Sequence, residues 1–288
     1  MPSNEVPYTR DVFYIGGRSA KGTSGTITVD QIYLEKLTPT RQWTQKHPLV
    51  FFHGGGLSGS TWLNTPDNRE GWASYFTMRS YAKLHTQWPG TGADGDPVSD
   101  QFKKSLISLT TNFFSQEKAL RADCCVLLSL LGEKDFLVSN SLGSRKPLLL
   151  SNDCPEYIAG SINIEADTSP FWSNAEGLVG FAGSHWGLTN TLVTYDTPVG
   201  DPSEVESESV GEETLAYRNC YLQVEPARKL PQINKVPYLL LTGEASVHIT
   251  YDHCCKGHFL RVEKNNMQIT GVVDAWIQKK SFNGTKSA

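Results

Sequence analysis

The sequence predicts an α/β fold: a single domain over residues 1–288, with a mostly parallel sheet and helices on both faces. Three observations support this prediction. Apolar segments with helical spacing alternate with short apolar runs, as in proteins built on a parallel sheet. The runs are nearly continuous, which is typical of strands buried on both faces. A chain of 288 residues is also within the usual length of one α/β domain. The main runs are at 48–53, 135–139, 158–164 and 236–242.

The N-terminal part predicts a β-hairpin ahead of the buried strands. Residues 12–15 are short and apolar, and residues 26–34 begin with alternating apolar and polar side chains. The glycine- and serine-rich segment 16–25 between them is predicted to be the hairpin loop.

Three helices are predicted from apolar spacing, the first over residues 71–78. The remainder of 61–117 gives no clear signal, and residues 105–114 fit a helix and an extended segment equally well. A second helix ends before Gly132, a residue type common just past helix ends. Its apolar stripe comprises Leu120, Cys124, Leu127, Leu128 and Leu131. The stripe of the last helix comprises Ile269, Val272, Val273, Trp276 and Ile277.

Residues 171–213 interrupt the alternation of strands and helices. The end of this stretch is acidic, contains no basic residue between 201 and 213, and is predicted to be a solvated loop. We expect the whole stretch to form a lid-like or cap-like insertion over one face of the domain.

The composition argues against two classes of partner. Lys and Arg number 26 against 30 Asp and Glu, which gives a net charge of −4. Binding of nucleic acid phosphates needs a basic surplus or cluster, and the sequence has neither. No apolar stretch approaches the roughly 18 residues of a membrane-spanning helix, and no basic amphipathic helix suggests binding to a membrane surface.

The N-terminus and the cysteines predict a cytoplasmic protein. The first residues lack the basic and apolar regions of a secretion signal. Six cysteines that include two adjacent pairs, in a chain this long, do not indicate a disulfide framework, and their spacing does not suit zinc. The glycosylation sequon at Asn283 carries little weight in a protein without a secretion signal.

A motif of the form S-x-S-x-G at 139–143 predicts a nucleophile. It follows an apolar strand and precedes a segment, 144–150, that can be helical. A sharp turn between a strand and a helix lifts a serine hydroxyl, here that of Ser141, to the carboxyl edge of a parallel sheet. The usual first glycine of such a turn is Ser139 here, the next smallest substitute. By itself the motif is weak, because serine and glycine are common in ordinary turns.

The sequence HGGG at 53–56 strengthens that interpretation. It follows the predicted central strand, and glycines let the backbone approach a substrate closely. Backbone N–H groups near Gly55 or Gly56, together with that of Leu142, would then stabilise a developing oxyanion. The alternative is a flexible turn.

A serine nucleophile also needs a base and an acid that orients it. The base is expected late in the chain, which leaves His248, His253 and His258. Two glutamates, Glu165 and Glu244, directly follow predicted strands. Either carboxylate could reach a histidine over the sheet edge.

The chain resembles the α/β-hydrolase superfamily, and within it a group of microbial serine esterase-like proteins. The resemblance extends nearly from end to end. Beyond the motifs above, it is carried by the segments 12–17, 61–67, 84–90, 188–198, 225–230, 243–246 and 257–266. It implies a Ser141–His258–Glu165 triad, with Glu244 as a structural residue or a residue that supports the triad from behind. In the family the segment 84–90 lies near the site, so His85 and Trp88 would belong either to the substrate pocket or to the structure around it. The lid-like insertion predicted above would come after the sixth strand.

The chain departs from the family in the elbow and in two internal gaps. The residue before the nucleophile is Asn140, where the family usually has histidine, and the family's second glycine after the elbow is Ser144. A strand and its loop are missing after Phe76, and a helix and strand are missing before His258. The 15 positions from 243 to 258 are too few for a parallel crossover and a strand. A shortened sheet is therefore expected, and His248 and His253 remain reserve candidates for the base.

These observations predict a serine hydrolase of a small or medium carboxylic ester or lactone that needs no cofactor or metal. We also expect the protein to act in secondary metabolism. The main alternative is a hydrolase fold without hydrolysis, either a binding module or a cyclase or isomerase of natural-product biosynthesis. A third is a chain that folds poorly.

Overall fold

A computed structural model gives the structure of the chain. It describes residues 7–23, 25–40, 45, 47–78, 95–98, 100, 112–166, 171, 184–210, 220–243 and 266–283. The described strands are β1 Tyr8–Gly22, β2 Gly25–Pro39, β3 Leu49–Phe52, β4 Asp135–Asn140, β5 Ile158–Ile164, β6 Ser207–Val210, β7 Cys220–Gln223 and β8 Tyr238–Leu241. The described α-helices are α1 Trp72–Met78, α2 Phe113–Leu131, α3 Arg145–Asp153 and α4 Asn266–Asn283.

The central sheet confirms the parallel arrangement that the sequence predicts. Its strands lie in the order β3-β4-β5-β8, and every neighbouring pair is parallel. All six residues of β4 are buried, in agreement with its continuous apolar run. Within the described part of the chain this sheet has four strands, and the expected shortening of the sheet stays a prediction.

Helices cover both faces of the sheet, and each face has its own apolar core. One core lies on the side of α2 and α3 and contains Leu128, Leu137 and Leu149. The other contains Trp72 of α1 and Val273 of α4. Val272 is more than half exposed, so its placement in the apolar stripe of the last helix was wrong. The buried stripe of α4 follows the helical spacing through residues 273 and 277 instead.

The N-terminal hairpin is longer than predicted. β1 and β2 are 15 residues each and pair from Tyr8↔Pro39 to Gly22↔Gly25, so 16–25 is not a loop. Gly16 and Gly17 have φ values of 66° and 94°, and the opposite residues Gly17 and Asp30 are left out of the pairing. These glycines therefore lie at a local irregularity inside the paired strands, which keeps the register unchanged, and not at the turn.

The second helix ends where the sequence predicts but begins earlier. Asn112 caps its N-terminus by accepting a hydrogen bond from the Ser115 N–H at 3.0 Å. Gly132 ends it in the left-handed conformation, at φ 80°. Of the ambiguous segment 105–114, only residues 112–114 are described, and they form this cap and the first helical residues.

A disulfide joins Cys125 on α2 to Cys154 at the end of α3, with their Cα atoms 5.9 Å apart. The expectation of unpaired cysteines is therefore wrong for these two. The two adjacent cysteines of α2 point in different directions. Cys124 lies in the core as a free thiol, whereas Cys125 is bonded to Cys154 at the interface between α2 and α3.

The predicted insertion, 171–213, is described at residue 171 and over 184–210. Its acidic end contains the exposed strand β6, which pairs with β7, so that end is not the simple loop expected. Buried Glu117 on α2 binds the middle of the segment by accepting from the N–H groups of Asn190 and Thr191, at 2.9 and 2.6 Å. The role of this segment as a lid stays a prediction.

No helix among the described residues is long and apolar enough to cross a membrane.

Candidate active site

Ser141 lies on a sharp turn between β4 and α3. Its φ of 51° is in the left-handed region, which a non-glycine residue adopts at a cost. A single 3₁₀ turn, Ser141–Ser144, connects it to the start of α3. Ser141 is only partly buried, although the whole of β4 before it is inaccessible. This is the strand–turn–helix setting that the S-x-S-x-G motif predicted.

Close packing explains the small residues around the turn. A Cβ on Gly143 would be 2.5 Å from the His53 carbonyl oxygen and 2.9 Å from that of Phe52. A Cβ on Gly54 would be 3.1 Å from the Ser141 Cβ. The nucleophile turn and the glycine-rich loop are therefore in direct backbone contact, because β3 and β4 are adjacent strands.

Ser139 replaces the usual first glycine by using its hydroxyl. The side chain is fully buried and donates to Asn163 Oδ1 at 2.9 Å. Asn163 Oδ1 also accepts from the Ser161 hydroxyl at 2.8 Å. A hydroxyl that is hydrogen-bonded inside the sheet avoids the desolvation penalty of a buried polar group, so serine is tolerated here.

The glycine-rich loop lies where an oxyanion-binding loop is needed. Gly54 contacts the nucleophile turn, and Gly56 has a φ of 67°, a conformation that favours glycine. His53 Nδ1 is 2.9 Å from the Gly54 carbonyl oxygen, so this ring is held by its own loop. The use of the N–H groups of Gly55, Gly56 and Leu142 as oxyanion donors stays a prediction.

Glu165 lies at the same edge of the sheet, one strand away from the serine. It follows β5 directly, is fully buried, and has a φ of 53°. Its N–H donates to the Leu241 carbonyl at 2.7 Å, and its carboxylate accepts a short hydrogen bond from the Gly243 N–H. The residues that precede Ser141 and Glu165 are direct partners in the parallel register, which places the two turns side by side.

The predicted base and several neighbours lie outside the described residues: His258, His248, His253, Glu244, His85 and Trp88. Of the three described histidines, His47 binds the Lys134 carbonyl at the opposite end of β4. His53 is held by its loop, as above, and His185 is exposed. The structure thus brings together the turns at Ser141 and Glu165 and the glycine-rich loop, while their catalytic roles and the identity of the base stay predictions.

Sequence reasoning missed an aromatic recess between the start of α2 and the segment 184–202. It has a volume of about 540 Å³ and is lined by Asn112, Phe113, Phe114, His185, Trp186, Asn190 and Pro202. The ring of Phe113 lies 5.6 Å below the guanidinium of Arg145, which is the first residue of α3. The recess therefore adjoins the helix that follows the nucleophile. Its walls are far apart in sequence, so no local pattern indicates it.

The described residues contain no group of three or more His, Cys, Asp or Glu side chains that could hold a metal ion.

Comparisons with known proteins give one curated relative and a structural likeness, and no family model matches the chain. The relative is the "Probable secreted lipase phiG" of Fungal sp. (strain ATCC 74256). It is 27% identical, and the match covers 93% of this chain and 89% of that protein. The alignment spans 336 positions, more than the 288 residues of the chain, so the relative contains internal segments that this chain lacks.

Among solved structures, a bacterial esterase is similar to the chain with a TM-score of 0.57 at 16% identity, over 97% of this chain and 98% of that one. A peroxisomal α/β-hydrolase of Saccharomyces cerevisiae is similar with a TM-score of 0.32 over 57% of the chain. The likeness to the esterase, with the parallel sheet and the elbow turn, shows that the chain has the α/β-hydrolase fold expected from its sequence.

The expectation of a cytoplasmic protein is wrong. The relative that matches most of the chain is named a secreted lipase, which points to an extracellular location. The disulfide between Cys125 and Cys154 agrees with this correction, since such bonds persist in oxidising compartments.

Proposed function

From the α/β-hydrolase fold of the chain, we propose that it is a carboxylic ester hydrolase that acts through an acyl-enzyme on Ser141. The observation that carries the proposal is the arrangement at the carboxyl edge of the sheet. A serine in a left-handed turn lies against a glycine-rich loop on one side and next to a buried glutamate turn on the other. The names of the lipase and esterase relatives support the same reaction class.

Each part has a separate role in the proposed reaction. The Ser141 hydroxyl attacks the ester carbonyl while His258 takes its proton. Backbone N–H groups of the loop at Gly55 and Gly56, and that of Leu142, hold the negative oxygen of the tetrahedral intermediate. Collapse expels the alcohol, which receives the proton from His258. Water then hydrolyses the acyl-enzyme by the same route in reverse, and Glu165 holds the imidazole in the required tautomer.

The substrate class we propose is a small or medium ester or lactone. The aromatic recess beside α3 would receive an apolar part of such a molecule, because its rings offer flat apolar surface.

The test is covalent labelling with a fluorophosphonate probe, followed by mapping of the modified peptide. We expect labelling at Ser141 that disappears in Ser141→Ala and persists in Ser129→Ala, an exposed serine on α2. His258→Ala should abolish the labelling, whereas His248→Ala and His253→Ala should retain it. A series of p-nitrophenyl esters of increasing acyl length then defines the preferred acyl group.

Two results would contradict the proposal. A cooperatively folded protein without labelling would favour a hydrolase fold used for binding, or for cyclase or isomerase chemistry. Loss of labelling in His248→Ala or His253→Ala alone would keep the reaction and move the base to that residue.

A further inference from the structure

Asn140, the residue just before the nucleophile, touches three segments that each supply a part of the proposed site. Its side chain is completely buried at the end of β4. An asparagine amide carries both donors and an acceptor, so it can bind one neighbour through nitrogen while its oxygen faces another. In Asn140 the amide nitrogen contacts the segment before Glu165, and the amide oxygen lies next to Gly54.

The nitrogen end faces the acid turn. Asn140 Nδ2 donates to the Ile164 carbonyl oxygen at 3.1 Å. Ile164 is also its direct partner in the parallel register and immediately precedes Glu165. The hydrogen bond therefore fixes the peptide that leads into the left-handed glutamate turn.

The oxygen end faces the glycine-rich loop. A Cβ on Gly54 would lie 3.2 Å from Asn140 Oδ1 and 3.1 Å from the Ser141 Cβ. The amide therefore fills the space between the loop, the nucleophile turn and the acid turn. A shorter side chain leaves a void there, and a carboxylate in its place has no hydrogen to donate to Ile164.

We propose that Asn140 is a positioning residue that sets the separation of the Ser141 turn, the Glu165 turn and the loop at Gly54. This inference rests on the proposed function. It assigns a role to a position where the resembled family usually has histidine. A histidine ring N–H can donate to the same carbonyl, which explains how either residue type could serve.

The test compares Asn140→Asp, Asn140→Leu and Asn140→His with a matched control, Asn152→Ala. Asn152 is also a buried asparagine whose oxygen accepts a backbone N–H, that of Thr194 at 2.7 Å, but it lies at the far end of α3. The measurements are the rate of fluorophosphonate labelling of Ser141 and kcat and KM for a p-nitrophenyl ester, all at a temperature where each variant is folded by circular dichroism.

We expect Asn140→Asp and Asn140→Leu to lower kcat and the labelling rate by about 10- to 100-fold with KM nearly unchanged, because small misplacements of reacting groups cost rate rather than binding. Asn140→His should recover most of the rate, and Asn152→Ala should keep the wild-type kcat even though it is less stable.

Three results would overturn the inference. Equal losses of kcat in Asn140→Leu and Asn152→Ala would mean that both residues act only on stability. Unchanged kcat in Asn140→Asp and Asn140→Leu would mean that the turns hold their positions without the amide. Either of these two results, with the wild type labelled at Ser141, refutes the positioning role alone. If the wild-type protein itself fails to label, the proposed function fails and this role fails with it.

Discussion

The disulfide between Cys125 and Cys154 should contribute a large part of the stability of this protein. It joins the middle of α2 to the end of α3, the helix that starts directly after the nucleophile turn. Next to it, Arg121 forms a bidentate pair with Asp153, with both N–O distances at 2.7 Å. The disulfide and the Arg121–Asp153 ion pair thus both hold α2 against α3, and reduction removes the covalent one of these two links.

The sequence separation of 29 residues sets the expected magnitude. In the chain-entropy model, closing a loop of that length removes enough disorder from the unfolded chain to stabilise the fold by about 3.6 kcal/mol at 25 °C. For a chain of this size each kcal/mol shifts the melting temperature by about 2–4 °C, so the loss is roughly 7–14 °C. Cys154 is 1% exposed and Cys125 is partly buried, so the disulfide offers limited access to a reductant.

The assay is thermal unfolding, followed by circular dichroism, of the oxidised protein and of protein reduced under denaturing conditions and refolded with reductant present. A Cys125→Ala/Cys154→Ala variant is the matched control. Its melting temperature should equal that of the reduced protein, and it should not change when reductant is added. Peptide mapping without reduction should recover the linked 125–154 pair.

Equal melting temperatures for oxidised and reduced protein, with the linked peptide present, would refute the stability argument. Alkylation of Cys125 in the native protein without reductant would refute the pairing itself. A drop that persists in the alanine variant but is absent on reduction would assign the effect to lost packing of Cys154 rather than to the cross-link.

Two further predictions concern residues around the sheet. Gly143→Ala should destabilise the fold by about 1–3 kcal/mol and slow labelling of Ser141, since the new methyl group would meet the rigid His53 carbonyl; unchanged denaturant midpoints would contradict this. Burial raises the pKa of Asp135 to about 7, and neither carboxylate oxygen has a hydrogen-bond partner among the described residues. The folded protein then holds a proton that the unfolded chain has lost between about pH 4 and 7, so the free energy of unfolding should fall as pH rises through that window, by at most about 1.4 kcal/mol per pH unit. Asp135→Asn should flatten this dependence, and parallel curves for the two proteins would show that Asp135 is not its source.

The central sheet and the elbow could be predicted because their signals are local. Strands buried on both faces must be apolar throughout, so β4 and β5 are visible as short runs. The turn at Ser141 needs small neighbours for steric reasons, and small residues at fixed spacing are easy to recognise. Gly132 was likewise predictable, since a left-handed helix end favours glycine.

The remaining features depend on contacts between distant parts of the chain. Ser139 can replace glycine only because Asn163, 24 positions later, accepts its hydroxyl, and no local pattern shows this. The cysteine pairing depends on how α2 docks against α3, and the two adjacent cysteines gave no indication of which would face Cys154. The hairpin was underestimated because glycines with positive φ inside a strand resemble glycines at a turn.

The expected shortened sheet and the proposed triad are compatible on the geometry of the described strands. Ser141, Glu165 and the loop at Gly54 follow the three adjacent strands β4, β5 and β3, so none of them needs the strands that are expected to be missing relative to the resembled family. In that family the base follows a further strand. Here the chain passes Gly243, whose N–H is bound to Glu165, and reaches His258 after 15 positions. An extended chain covers about 3.3 Å per residue, so this stretch can reach roughly 50 Å. A connection that starts beside the acid and has this reach can return a histidine to the same sheet edge without a crossover or another strand.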